Sequence, residues 1–434
     1  MNSLLLRNGL VIDTEPAPVA HHNCDVLIEN GRIAALGPDL PSPAGTPVLD
    51  ATDRIVMPGF VDTHRHVWQA VLRSIAVDMD LPDYFNLVRQ QLGPRFRPAD
   101  VRAANLLGAL ECLDAGITTV QDFAYARADR ITADGYVAGE SDFDYAEAAL
   151  DGLRDVGIRA VFGYLLTPQD TAAVRRAHAL FGADTPLLTM AAASLGPSNQ
   201  KIDAITADWR LADELGLPLV THVASGPVNE RPIELLRDNG LLRPDILYVH
   251  GNSLADDELS MIGDSGGAVS ITPAVEARLG HGGPLIGRLR TAGVTTGLGV
   301  DVVTTVGGDM FSVIRAGLLT SYLVPGPHFT PADLLKMATL DGAVALGLGD
   351  RIGSFKIGKQ ADVVLLRATD VNLASAHDPI GAVVSAAHPG NVDTVLVAGR
   401  IVKQDGRLLD HDLAGVRERA QEAADHVTAE TIRA

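Results

Sequence analysis

Residues 62–66 read Asp-Thr-His-Arg-His and close an apolar run, Arg54 to Val61, that has the character of a buried strand. Side chains along a strand alternate between faces, so His64 and His66 share one face while Arg65 turns to the other. Two imidazoles converging from one strand end can chelate a metal, which takes the neutral ring nitrogen as ligand. A lone His-x-His says little, because a histidine at a strand end can simply satisfy a hydrogen bond. The pair gains weight because His222, His250 and Asp301 each fall at the end of a later strand-like run. Neutral nitrogens, a carboxylate and space for water are the parts of a hydrolytic metal site.

The elements that would bring these residues together follow from the apolar pattern. Eight apolar runs alternate with helix-like stretches: Ile55–Val61, Gly116–Phe123, Gly157–Leu166, Leu187–Leu195, Leu217–Val223, Ile246–Val249, Ala268–Thr272 and Val294–Val300. Ala99–Asp114, Ala204–Leu215 and Asp256–Ile262 are among the helix-like segments between them. Such alternation means a parallel sheet, and eight units point to an α/β fold, a closed (β/α)8 TIM barrel. Catalytic groups in that fold sit at the C-terminal ends of strands. There the first strand would deliver His64 and His66, the fifth His222, the sixth His250 and the eighth Asp301.

Both ends of the chain differ from this middle. Ser3–Asp13, Asp25–Gly37 and Thr46–Asp50 are short and β-rich, with Asn30-Gly31 as a hairpin turn, and the same character returns in Ala361–Arg367 and Val392–Lys403. The two ends together suggest a small composite β-sandwich. The expected division is residues 1–57 and 351–410 for the two sandwich parts, 58–350 for the barrel and 411–434 for a C-terminal amphipathic helix.

Composition narrows the function. The chain has 434 residues, 47% of them apolar, and 54 acidic against 35 basic groups give a net charge of −19. Nothing supplies a cationic stripe, which argues against nucleic acid and anionic membranes as partners. Cys24 and Cys112 are the only cysteines, too few for a thiolate zinc site and suited to a reducing compartment. No export signal and no run near the roughly 18 apolar residues of a membrane span is evident. A soluble, cytoplasmic protein is expected. Loops of the Gly-Lys-Ser/Thr, Gly-x-Gly-x-x-Gly and Gly-x-Ser-x-Gly types are missing, so nucleotide hydrolysis, dinucleotide redox chemistry and serine-esterase chemistry lack support.

Several motifs in order carry a resemblance. They are Pro58-Gly59-Phe60-Val61-Asp62-Thr63-His64-Arg65-His66, Gly116-Ile117-Thr118-Thr119-Val120, Thr221-His222, Val249-His250-Gly251, Gly297-Leu298-Gly299-Val300-Asp301 and the segment Gly353 to Asp362. Almost end to end, the chain resembles the amidohydrolase superfamily, and within it the triazine chlorohydrolases and cytosine-deaminase-like enzymes. The resemblance implies that His64, His66 and His222 bind a divalent metal, with Asp301 as fourth ligand and proton acceptor. His250 would donate to, or polarise, the atom under attack. Two-metal relatives bridge their ions with a carboxylated lysine at the end of the fourth strand. Leu187–Pro197 contains no lysine and Lys201 lies beyond it, so one metal is expected, zinc in preference to iron.

One departure matters. Deaminases of this branch carry Glu three residues after the fifth-strand histidine, where it shuttles a proton to the leaving amine; this chain has His222-Val223-Ala224-Ser225. Serine cannot do that at neutral pH. Glu276, in Thr272-Pro273-Ala274-Val275-Glu276, is the candidate replacement, and His281, in Leu279-Gly280-His281-Gly282-Gly283, a candidate substrate contact. Trp68 and Gln69 could line the pocket mouth. For Arg73 and Asp122 an ion pair and a structural hydrogen bond are the expected roles.

The expected function is that of a mononuclear amidohydrolase: metal-bound hydroxide attacks an electrophilic carbon of a small amino-heterocycle or cyclic amide-like substrate, in deamination or C–N hydrolysis. The alternatives are displacement of a halide or alkylamine, as in triazine hydrolases, and a non-catalytic scaffold, which the complete ligand set disfavours. Relatives are often dimers or larger, so the resemblance also implies a homo-oligomer.

Overall fold

The computed structural model describes residues 3–42, 44–124, 131–132, 135–136, 142–166, 171–182, 186–198, 200–223, 230–324 and 326–429. The chain opens with β1 (Ser3–Asp13), β2 (Val19–Glu29), β3 (Arg32–Gly37), β4 (Val48–Asp50) and β5 (Arg54–Pro58). Next come β6 (Phe60–Arg65), β7 (Ile117–Ala124) and a short pair, β8 (Ile131–Thr132) and β9 (Gly135–Tyr136). Then follow β10 (Arg159–Leu165), β11 (Leu188–Ser194), β12 (Leu219–Val223), β13 (Ile246–His250), β14 (Ala268–Ile271) and β15 (Thr295–Leu298). The last strands are β16 (Val363–Arg367), β17 (Val392–Val397), β18 (Arg400–Gln404) and β19 (Arg407–Leu408).

Eight strands form one parallel sheet in the order β6-β7-β10-β11-β12-β13-β14-β15. Its two edges meet just past β15, where the Asp301 N–H donates to the His64 carbonyl at 2.8 Å and the His66 N–H donates to the Asp301 carbonyl at 3.0 Å. The barrel therefore closes through the backbone of its own candidate ligands. The approach is close: a Cβ on Gly299 would stand 2.8 Å from the His64 carbonyl oxygen, so only glycine fits. Val61, Phe123, Val161, Ala191, Val220 and Leu247 form one apolar cluster inside the barrel, with Ala343 entering from the helix Leu340–Ala345.

The terminal strands make a nine-stranded sheet, β19-β18-β17-β16-β5-β1-β2-β3, with β4 beside β1. Leu6, Val26 and Ile28 from the start of the chain share one apolar cluster with Val363, Leu365 and Leu396 from its end, which is the core of the composite sandwich. Asn30 and Gly31 take φ of 51° and 75°, the left-handed pair that a tight hairpin between β2 and β3 requires. A buried ion pair ties sandwich to barrel: Arg159, at the start of β10, donates through Nε and Nη2 to both carboxylate oxygens of Asp362 at 2.9 Å.

The apolar run from Arg54 to Val61, read from sequence as one barrel strand, is two. β5 pairs with β1 and β16 in the sandwich, while β6 enters the barrel. The Gly59 N–H still donates to the Asp362 carbonyl at 2.9 Å, while the Phe60 N–H donates to the Gly116 carbonyl at 3.0 Å, so the chain changes sheets between Gly59 and Phe60. The helix Pro331–Met337 is capped by Thr330, whose hydroxyl accepts from the Asp333 N–H at 3.2 Å. The C-terminal helix, Leu413–Thr428, buries one stripe, Val416, Ala420, Ala423 and Val427. Cys24 and Cys112 are free and buried. No helix among the described residues is long and apolar enough to cross a membrane.

Candidate metal centre

Period-two alternation on β6 turns His64 inward, and the closing contacts with Asp301 bring His66 beside it. The His64 and His66 rings stand edge to face with centroids 4.9 Å apart. His222, near the end of β12, lies 4.8 Å from the His64 ring and stacks on His66 at 5.6 Å. Asp301 sits among them, Oδ1 being 3.4 Å from His64 Nε2 and 3.6 Å from His66 Nε2. Those separations match the roughly 3.4 Å edge of a tetrahedron with bonds of about 2.1 Å, the length of Zn–N and Zn–O bonds. The ligand atoms of His64, His66 and Asp301 lie within 4.8 Å of one another, as do those of His64, His222 and His250.

The donor set fits a divalent ion on independent grounds. His64 Nε2 is fully buried without a hydrogen-bond partner among the described residues, which leaves a lone pair for a cation. Burial, reinforced by the neighbouring His64, holds His66 well below the usual histidine range, and burial with His64 and His250 does the same for His222. Both are thereby kept neutral, the form that binds metal. Burial alone would push the Asp301 carboxyl up, but His64, His250 and His66 outweigh it and keep Asp301 ionised. Supporting groups fix the rings. His64 Nδ1 lies 3.3 Å from Gln121 Oε1, and His66 Nδ1 lies 3.0 Å from the Phe123 carbonyl.

His250 differs from the other imidazoles. Its Nδ1 lies 3.2 Å from Glu276 Oε1, and its Nε2 lies 3.7 Å from Asp301 Oδ2. Burial lowers its proton affinity, but the hydrogen bond to Glu276 and the charges of Asp301 and Glu276 reverse the sign and raise it. The raised proton affinity sets His250 apart from His66 and His222, whose proton affinities burial lowers. Both His250 and Asp301 take positive φ, 67° and 65°. Such backbone costs about 1–3 kcal/mol per residue and persists where the surroundings over-determine it.

Glu276 lies behind His250. Its Oε1 also accepts from the Thr272 N–H at 2.8 Å, its Oε2 accepts from Asn252 Nδ2 at 3.2 Å, and the residue is 4% exposed. Both carboxylate oxygens are thus engaged, and Glu276 stands behind His250. His281 is packed against His250, with ring centroids 4.4 Å apart and neither ring nitrogen partnered among the described residues. Burial and the adjacent His250 lower it to about 4, so it is neutral.

Trp68 and Gln69 are elsewhere. Trp68 is 2% exposed and packs edge-on against Phe96 at 5.1 Å. Gln69 is fully buried, donating to the Tyr84 hydroxyl at 2.7 Å and accepting from Thr304 at 3.5 Å. Val67–Leu72 forms a tight 3-10 turn under the mouth, and its side chains face the packing layer. Arg73 pairs with Glu111 at 2.6 Å. Asp122 accepts from the Val67 N–H and from Asn105, and burial raises its carboxyl to about 7. Ser194 ends the fourth barrel strand, with its hydroxyl 3.0 Å from Asp208, and no lysine stands there. Ser225 lies outside the described residues.

Sequence reasoning passed over Gln121, Thr272 and Asn252. Thr272 Oγ1 sits 3.3 Å from His250 Nδ1 and 3.5 Å from Asp301 Oδ2, bridging the two. The available signal was polarity in an apolar context: Gln121 interrupts a buried strand, and Thr272 follows one directly.

Comparison with known proteins agrees with this geometry. The model of the amidohydrolase family matches residues 55–402. A 5-methylthioadenosine/S-adenosylhomocysteine deaminase of Symbiobacterium thermophilum is 29% identical, covering 99% of this chain and 100% of its own length. A 5'-deoxyadenosine deaminase of Methanobrevibacter smithii is 25% identical, with 98% of each chain covered. Among solved structures, a zinc-bound adenosine deaminase from Xanthomonas campestris superposes with a TM-score of 0.87 at 25% identity, covering 98% of each chain. An atrazine chlorohydrolase mutant from Arthrobacter aurescens, complexed with zinc and atraton, shares the fold with a TM-score of 0.86 at 22% identity, over 97% of this chain and all of that one. The chain belongs to the amidohydrolase family, hydrolases acting on carbon–nitrogen bonds other than peptide bonds.

Proposed function

We propose that this protein is a mononuclear, zinc-preferring aminohydrolase that deaminates a small amino-heterocycle, with 6-aminopurine compounds the first class to test. The observation that carries the reading is one carboxylate serving two groups: Asp301 turns Oδ1 to His64 and His66 and Oδ2 to His250 and Thr272. His64, His66, His222 and Asp301 would hold the ion. Bound there, it would polarise water and lower its pKa toward about 7. Asp301 Oδ2 would take the proton that such water gives up. Glu276 fixes His250 Nδ1, so Nε2 faces the centre and can donate to the ring atom that gains negative charge. His281 presents a neutral ring, able to donate and to accept, next to the same spot. The relatives' names support the adenine-type substrate class.

A second reading, displacement of halide or alkylamine, is favoured by Ser225, because a departing halide needs no proton from a shuttle. One experiment separates them. Zinc-replete protein is screened against aminopurine nucleosides and chloro-, alkylamino- and amino-triazines, with ammonia, chloride and alkylamine measured separately. Ammonia release with about one zinc per chain supports deamination. Chloride or alkylamine release alone selects the second reading, and a protein that binds no zinc or iron after reconstitution sinks both.

A further inference from the structure

A cavity of about 380 Å³ lies at the opposite end of the barrel from the metal centre, and the proposed chemistry does not use it. Val161, Leu219, Leu247 and Ala268, near the N-terminal ends of their strands, form its wall, and Val344 and Leu348 lie beneath. Small-molecule sites run from about 300 to about 1,000 Å³. A dry cavity of only about 150 Å³ accepts benzene.

One polar group reaches the cavity from within. Gln121 is fully buried, lines the cavity, and its Nε2 has no hydrogen-bond partner among the described residues. Its orientation follows from chemistry on the other side. His64 Nε2 faces the ligand cluster, so the proton sits on Nδ1, which donates to Gln121 Oε1 at 3.3 Å. The oxygen is taken and the NH₂ end is left over. A buried donor without an acceptor is costly, and an occupant carrying an acceptor would relieve it. The apolar wall disfavours a charged occupant; at the rim Asp245 is paired with Arg243, and Arg351 donates to the Pro186 carbonyl at 3.4 Å.

We propose that this cavity is a second binding site, for a neutral, mainly apolar small molecule with one hydrogen-bond acceptor, engaged by Gln121 Nε2. The orientation of Gln121, and nothing else in the proposal, rests on the reading of His64 as a metal ligand. Because the same amide holds the His64 ring, an occupant touches the metal centre through one residue.

The test titrates zinc-replete protein with acetophenone and with α-methylstyrene, which has the same shape but no acceptor, followed by ligand-observed NMR. Val344 is 48% exposed and both native cysteines are buried, so Val344→Cys supplies a reactive thiol at the cavity. Saturable acetophenone binding about tenfold tighter than that of α-methylstyrene is expected, one hydrogen bond's worth. Acetophenone should also slow alkylation of the Val344→Cys thiol, and Val344→Trp should abolish binding. No saturable binding, equal affinity for the two compounds, or binding that neither protects the thiol nor responds to Val344→Trp would overturn the proposal. Zinc content of the same samples distinguishes the failures: full zinc without binding sinks the cavity site alone, whereas discriminating binding without zinc supports the site and sinks the metal reading.

Discussion

Replacing Glu276 by glutamine should slow catalysis without disturbing the metal. The carboxylate accepts three hydrogen bonds, from the Thr272 N–H and His250 Nδ1 on Oε1 and from Asn252 Nδ2 on Oε2. Glutamine has one acceptor oxygen. With that oxygen at the Oε1 position it keeps Thr272 and His250, but its NH₂ then faces the Asn252 NH₂, which is already committed to the Gly283 carbonyl at 3.2 Å. The bond to His250 survives in neutral form. Charged hydrogen bonds are worth about 1.5–3 kcal/mol against about 0.5–1.5 for neutral ones, so about 1–2 kcal/mol is lost from the protonated imidazole. At about 1.4 kcal/mol per factor of ten, kcat should fall about 5- to 30-fold. KM should change little, because Glu276 lies behind His250.

The sign of the pH effect follows from the same contact. Glu276 raises the proton affinity of His250, so its loss lowers that affinity, and the alkaline limb of the kcat profile should move down by about one unit. The assay is ammonia release across pH on the substrate identified by screening, with bound zinc measured on the same protein. Unchanged turnover and an unmoved alkaline limb, at full zinc, would refute the positioning role. Loss of zinc would show instead that Glu276 acts through the ligand set.

Gly299→Ala places a Cβ 2.8 Å from the His64 carbonyl oxygen, and overpacking of this kind costs about 1–3 kcal/mol. Urea unfolding should show that loss together with reduced zinc, since His64 and Asp301 belong to the two segments forced apart; wild-type values for both would refute the closure argument. Arg159→Ala leaves the Asp362 carboxylate buried and without its cation, for a loss of about 3–5 kcal/mol. Zinc per folded chain should not change, and a loss under about 1 kcal/mol would show that the pair is not needed to join sandwich to barrel. Between about pH 8 and about pH 6, His66 and His222 should add no proton dependence to zinc affinity. Protons compete with metal only below a ligand's own folded pKa, and burial sets those of His66 and His222 well below the ordinary histidine value. A two-proton slope through about pH 6.5 would contradict that.

What the sequence determined by itself was order and placement. Apolar runs bounded by turns mark strands whatever surrounds them, so the eight barrel strands and the β-rich termini were legible, and with them the strand ends that carry His64, His66, His222, His250 and Asp301. The change of sheet between Gly59 and Phe60 was blurred because one apolar run served two buried strands, and burial is all that such a run records. Side-chain partnership was another matter. Glu276 matched a missing acid by its distance from a strand, yet the partners its carboxylate meets, His250 and Asn252, lie 26 and 24 residues away in the chain. Trp68 and Gln69 follow the histidine pair directly, but the turn after β6 swings them into the packing layer. Gln121 holds His64 across 57 residues. Hydrogen bonds are short-ranged and directional, so which group each buried polar atom meets is decided only when the barrel closes.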